Sequence, residues 1–282
     1  MGIARRSAVQ PQDLVLTLFG SYARELHETV VWSGGLVQVL GEFGFSTDAS
    51  RAALARLALR GLLTRHKSGR RVSFSLSPRA EQLMSEGDER IFTFGRSEPS
   101  SDAWTVVWHA IPETRRMERS QLASRLRFLG FGSVQDATWV AARDREREVR
   151  RLLARVEVES YASVLVGRLS PGLAPVALVA QAWDLEAMRE GYHQFLEEFS
   201  SYRTADTVAG LSDEQAFVVR TLLIHRFRSF PFVDPELPTD ISDDHELRSA
   251  VVATLDDAYA ALAGPALRHF ALATQPTAST PR

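Results

Sequence analysis

Arg51 and Arg56 flank Ala52 and Ala55 in the stretch TDASRAALARLALRGLL, and these side chains together suit one task. A guanidinium can donate two parallel hydrogen bonds to the O6 and N7 acceptors of guanine, and methyl-sized neighbours let a backbone approach a groove closely. Lys67, Arg70 and Arg71 follow in RHKSGRRVS, where cations with little else to bind would meet phosphates or a minor groove. Thr47 and Ser50, in the first turn of the same stretch, complete the candidate DNA-contact set.

Positioning such a set takes a helix with one buried stripe. Ser46 or Thr47 can cap a helix that runs through Arg60, and Gly61 supplies the left-handed residue that ends it. At about 100° of rotation per residue, packing through Ser50, Ala53, Leu54 and Leu57 turns Asp48, Arg51, Ala52, Ala55, Arg56 and Leu59 outward. Leu62–His66 and Val72–Leu76 read as strands joined by a turn over Lys67–Arg71, with Gly69 where positive φ is needed. Upstream, Pro11–Arg24 and Ser33–Phe43 carry apolar residues at helical spacing, Ser33 as a cap and Gly44 as a stop. Ser77-Pro78 opens a further helix to Ile91. Three helices, a hairpin and a helix are the order of a winged helix-turn-helix.

The charge distribution agrees with a polyanionic partner at that end. Residues 1–80 hold eleven Arg or Lys against five acids, whereas residues 176–282 hold eight against sixteen, although the whole chain has a net charge of only −2. A chain of 282 residues, 45% hydrophobic and 24% charged, has the composition of a multi-domain globular protein. It contains no cysteine, which excludes disulfides, thiolate metal sites and cysteine nucleophiles. There is no run of eighteen apolar residues, and MGIARRSAVQPQD offers nothing apolar enough for a signal peptide, so the expected location is cytoplasmic, away from any membrane.

Beyond the linker EPSSD, the pattern changes to Trp104–Ala110 (strand), Arg116–Leu129 (helix), a short strand near Gly132–Gln135, Thr138–Ala141 (strand), Arg143–Val156 (helix) and Ala162–Gly167 (strand). That βαββαβ order is the ferredoxin-like unit. From Trp183 onward the pattern is almost wholly helical, broken by Pro231, Pro235 and Pro238. The expected class is therefore α+β. Its parts are a winged helix-turn-helix over 1–95, a ferredoxin-like dimerisation domain over 100–175, an all-α sensor domain over 176–274 and a disordered tail over 275–282.

The motifs LVLTLFGSYARE, VWSGGLVQVLGEFG, RAALARLALRGLL and GRRVSFSLSPRAEQLM, in that order, resemble the N-terminal domain of the PaaX family of bacterial repressors, named for control of phenylacetic acid catabolism. The resemblance continues through WHAIPETRR, RLRFLGFGS and TWVA, then Trp183, AFVVRTLLIHRFRSF and DPELP. It implies a homodimer on a palindromic DNA operator, released by the CoA thioester of an aromatic acid. Many relatives follow DPELP with a Trp-containing LP-x-x-W stretch, whereas LPTDISDDHEL has no tryptophan, a departure that bears on the effector.

Candidate effector residues are Trp183, Arg220, His225 and Arg228. His225 and Arg228 share a helix face, and phenylalanines 227, 230 and 232 offer an apolar wall beside these cations. The structural alternative pairs Arg228 with Asp234 and makes His225 a satisfied interior group. A DNA-binding protein without any ligand is a second reading, against which stands an acidic helical region that DNA binding does not need.

The remaining motifs carry less. A ferredoxin-like nuclease would need a carboxylate at the end of its first strand, where WHAIPE has His109 and Ala110, and Glu113 alone makes a poor metal site. No nucleophile elbow, P-loop or dinucleotide fingerprint occurs, so no catalytic residue, metal or cofactor is assigned. RDREREVRRLLARVE reads as a solvated helix face with i,i+4 ion pairs, and Trp104, Trp108 and Trp139 as strand core.

Overall fold

The apolar stripe Leu14, Leu18, Tyr22 folds into a helix. In the computed structural model, which describes residues 9–96, 103–170 and 175–276, α1 spans Pro11–Leu18 and runs on through a π-helical turn over Phe19–Ala23. Next come β1 (Val31–Trp32), α2 (Ser33–Glu42), α3 (Thr47–Leu59), β2 (Leu63–Ser68), β3 (Arg71–Leu76) and α4 (Pro78–Thr93). Ser33 is the first helical residue of α2 rather than its cap, and Trp32 holds the cap position without a side-chain bond. β1 was absent from the sequence reading. It pairs Val31 with Phe74 and Trp32 with Ser73, giving the sheet order β1-β3-β2. The hairpin is longer than expected: Lys67 pairs with Val72 and Ser68 with Arg71, leaving Gly69, at φ 60°, and Arg70 as the turn. A two-residue connection matches the strand twist when its first residue is a glycine at positive φ.

After α4, the chain runs through β4 (Trp104–His109), α5 (Arg116–Phe128), β5 (Gly132–Gln135), β6 (Thr138–Ala141), α6 (Glu146–Val156) and β7 (Ala162–Gly167). The remainder is helical: α7 (Pro175–Ala182), α8 (Leu185–Phe199), α9 (Ala205–Ala209), α10 (Asp213–Phe227), α11 (Phe230–Val233), α12 (His245–Ala261) and α13 (Ala263–Thr274). Helices with antiparallel sheets make this an α+β chain. The expected linker Glu98–Asp102 lies outside the described residues, as does the expected disordered tail beyond residue 276. Among the described residues no helix is long and apolar enough to cross a membrane.

The helical region after residue 176, expected to form a domain of its own, is shared between two compact units. The first unit joins residues 1–89 to 197–227 and 253–282. Its core forms because the π-helical turn after α1, α10 and α13 contribute aromatic rings to one centre: the Tyr22 ring lies 5.0 Å from Phe217 and 5.1 Å from Phe270. A Cβ on Gly35 would stand 2.5 Å from the Thr274 Cα, so only glycine permits the approach of α2 to α13.

The second unit joins residues 90–196 to 228–252. Its sheet has the order β5-β6-β4-β7 with every pair antiparallel. Val107, Trp139 and Ala141 share a buried cluster with Leu122 and Leu126 of α5 and Leu152 and Leu153 of α6. Trp104 and Val140 belong to a second cluster with Val179 and Leu237. Trp104 is covered by Trp183, ring centroids 6.5 Å apart, but Trp108, four residues along the strand, stays 45% exposed and is not core.

Candidate nucleic-acid interface

α3 obeys its packing stripe. Ser50, Ala53, Leu54 and Leu57 are buried, Thr47, Arg51, Ala55 and Arg56 are exposed, and Ala52 is half-buried. The Ser46 hydroxyl accepts from the Ala49 amide at 3.2 Å and fixes the start of the helix, while Gly61 at φ 67° ends it. Ser50 leaves the DNA-contact set: it sits on the apolar stripe, fully buried, where its hydroxyl cannot meet a ligand. Its place on that stripe was the signal that could have excluded it.

Lys67 and Arg71 stand on the hairpin strands and Arg70 at its tip, all exposed. Arg60, Arg65 and Arg79 are exposed too and were outside the expected set. The signal for Arg65 was available in LTRHKS, a strand whose residues after Leu63 are all polar and all exposed. None of these cations, nor Arg51 or Arg56, pairs with a carboxylate among the described residues. The arrangement therefore presents unneutralised guanidiniums, donors in a fixed fork, beside a helix face narrowed by alanine. Such a surface can take up phosphate oxygens and, where the helix enters a major groove, guanine edges.

The expected effector residues are divided between the two units. Arg220 is buried in the first unit, where its Nη2 donates to both Glu25 carboxylate oxygens at 2.8 and 3.1 Å. Its Nη1 donates to the Ser21 carbonyl at 3.1 Å, and its guanidinium lies 3.7 Å from the Tyr259 ring centroid. Burial acts against that charge, but Tyr259, Tyr22 and Glu25 outweigh it and hold the pKa above the ordinary arginine value. His225, also in this unit, shares a hydrogen bond of 3.2 Å with the Thr17 hydroxyl through Nδ1. Arg228 is half-buried in the second unit, and the expected pairing with Asp234 is not made. Asp234 is held instead by the fork of Arg248, at 2.5 Å from Nε and 3.0 Å from Nη2, together with the Tyr192 hydroxyl. A bidentate fork occupies both carboxylate oxygens, which leaves little for a second arginine. Trp183 lines a cavity of about 700 Å³ in the second unit, with Val179, Leu185, Ile241, Ser242 and Arg189.

His109 is buried at the end of β4, with burial, followed by the charge of Arg119, lowering its pKa. Glu113 pairs with Arg119 at 2.7 Å. Among the described residues no group of three or more His, Cys, Asp or Glu could hold a metal ion.

Three family models match the chain in succession: PaaX-like protein over residues 10–80, PaaX protein central Cas2-like domain over 97–179, and PaaX-like protein C-terminal domain over 183–272. The chain belongs to the PaaX family. This PaaX family member is 27% identical over 223 residues to the transcriptional repressor PaaX of Escherichia coli (strain K12), a match covering 76% of this chain and 69% of that protein. Its fold is similar to that of the uncharacterized protein Rv0674 from Mycobacterium tuberculosis, with a TM-score of 0.54 and 20% identity over 95% of this chain and 100% of that one. The α3 face and the hairpin both fall inside the first matched segment, and the Trp183 cavity spans the end of the second and the third.

Proposed function

We propose that this protein is a DNA-binding transcriptional repressor that reads its operator through α3 and grips the backbone with the β2–β3 hairpin, the two acting as a winged helix-turn-helix. The observation that carries the reading is the exposed, unpaired Arg51 and Arg56 on either side of Ala52 and Ala55, with the cationic hairpin directly behind them in the chain. The similarity to a protein named as a transcriptional repressor supports it. The sheet of β4–β7 with α5 and α6 serves as a ferredoxin-like dimerisation unit, and the dimer binds a palindrome with half-sites about 34–36 Å apart or a multiple of that.

Selection of duplexes from a random-sequence library tests this. Enrichment of an inverted repeat is the expected result, and uniform recovery of unrelated sequences would refute it.

Release by an aryl-CoA or acyl-CoA thioester is the finer part of the proposal. The Trp183 cavity is its seat, since the engagement of Arg220 with Glu25 takes that cation out of the expected set. A thermal-shift series with CoA thioesters at a hundred times Kd should add about 2.7 kcal/mol of stability. No shift with any thioester would favour the ligand-independent reading.

A further inference from the structure

Three guanidinium groups converge on one carboxylate inside the second unit. Arg90 Nη1 stands 2.5 Å from Glu236 Oε2, Arg143 Nη1 3.6 Å and Arg145 Nη2 3.8 Å from the same atom. The side chains of these arginines keep 9%, 17% and 13% of their exposure, and that of Glu236 keeps 3%. Glu236 Oε1 accepts from the Gly95 amide at 3.0 Å, Arg143 Nη2 donates to the Glu236 carbonyl at 3.1 Å, and Arg90 Nε to the Phe128 carbonyl at 3.3 Å. The other charges at the cluster are paired off: Arg145 Nη1 donates to Glu148 at 2.9 Å, and Arg248 holds Asp234. Arg143 is left without a carboxylate of its own, so the cluster carries one positive charge in excess.

Donors and acceptors also fit less well than the distances suggest. Glu236 Oε2 meets Arg90 Nη1 at 2.5 Å, but Arg90 Nη2, Arg143 Nε and Arg145 Nε are buried without a partner. Orphaned buried donors and surplus buried charge are both unfavourable. Glu236 itself is at φ 51°, a left-handed conformation uncommon for a residue with a side chain, fixed by its amide donating to Asp234 Oδ1 at 2.6 Å. Burial acts to lower the pKa of Arg90 and of Arg143, the direction expected where guanidiniums are crowded away from water. A Cβ on Gly130 would lie 3.7 Å from Arg90 Nη2 and 3.9 Å from the Asp234 carbonyl, so the orphaned nitrogen borders room for a small group.

We infer that Arg90, Arg143 and Arg145 form an oxyanion site that Glu236 fills from within, and that a phosphate-type oxyanion takes the site when this carboxylate is removed or displaced. A tetrahedral oxyanion turns several acceptors toward guanidinium forks, where the single oxygen of Glu236 leaves three donors unused. The strained DPELP loop that carries Glu236 would be released by the exchange. Free phosphate and a phosphate carried by a larger molecule share this chemistry, and the probes below separate them.

The test uses the full chain with Glu236→Gln, which keeps the shape of the side chain and removes its charge. In phosphate-free buffer its Tm falls below that of the unaltered protein. Inorganic phosphate at about ten times Kd should then raise the Tm by about 3–5 °C more than sodium chloride of matched ionic strength does. Adding Arg143→Gln to Glu236→Gln should abolish the phosphate-specific gain. Phenyl phosphate as effective as inorganic phosphate assigns the site to a carried phosphate; a gain with inorganic phosphate alone assigns it to the free ion. Should Glu236→Gln fail to fold without phosphate, the refolding yield in phosphate against matched chloride gives the same decision. Equal gains in phosphate and chloride, or a phosphate-specific gain that survives Arg143→Gln, would overturn the inference.

Discussion

The arginines of α3 and the hairpin and the arginines around the DPELP loop answer to opposite rules. The first group is exposed and pairs with no carboxylate among the described residues. The second is enclosed, with Arg248 on Asp234 and Arg90 on Glu236, and Arg220 treats Glu25 the same way in the first unit. Sequence charge cannot separate the two, because a guanidinium counts as one unit in either place. What separates them is hydration. An exposed arginine keeps its water until an external polyanion displaces it, whereas a buried one must be satisfied by the fold itself. The contrast teaches that DNA contact should be sought where exposed cations are left unanswered, on α3 and the hairpin, and stability where buried ones are answered, as Arg248 is by Asp234 and Arg220 by Glu25.

The sharpest way to break this contrast is to remove an answered arginine. Arg248→Ala leaves Asp234 buried with its charge uncompensated, which should cost about 3–5 kcal/mol in denaturant unfolding without touching DNA affinity in the folded protein. Arg220→Ala should cost less, about 2–3 kcal/mol, because the Glu25 side chain is 37% exposed and can rehydrate. An unchanged Tm with a lost effector response would instead make Arg220 a ligand group.

Acidification sharpens the contrast at the DPELP loop. Burial acts to raise the Glu236 carboxyl, yet the charges of Arg90 and Arg143 outweigh it and hold the pKa below the ordinary carboxylate range. The stability it contributes is therefore present above the unfolded glutamate value of about 4.3 and is lost as pH falls through the lower folded value. Glu236→Gln should flatten that acid limb in a Tm-against-pH series, and an unaltered limb would place the acid sensitivity elsewhere.

The smallest effect belongs to the exposed hairpin. Arg70→Ala with Arg71→Ala should leave Tm within experimental scatter and reduce the slope of log K against log salt for duplex DNA by about two. An unchanged slope with lost preference for A·T steps would move the tip from the phosphates to the minor groove.

α3 was legible because its signals are local. The Ser46 cap, the stripe Ser50, Ala53, Leu54, Leu57 and the Gly61 stop all act within one stretch of α3, and the outward turn of Arg51 and Arg56 follows from helical rotation alone. β1 escaped because a strand of two residues carries no periodicity. Arg143 and Arg145 were read as part of a solvated face, and the i,i+4 pair of Arg150 with Glu146 does lie on such a face. These two arginines precede α6 and are drawn inward by Glu236, which lies 93 residues beyond Arg143 in the chain. No local pattern contains a partner at that separation. The same holds for Arg220, whose partner Glu25 comes from the other end of the chain.

Whether α3 reads DNA can be measured directly. Fluorescence anisotropy of the unaltered protein, Arg51→Ala and Arg56→Ala on a library-selected duplex and on its shuffled counterpart, with Tm recorded alongside, compares base reading with backbone grip. Each substitution is expected to weaken the selected duplex by about 1–3 kcal/mol, to affect the shuffled one much less and to leave Tm unchanged. Affinity and discrimination both unaltered in stable variants would contradict the account and take this helix out of the groove.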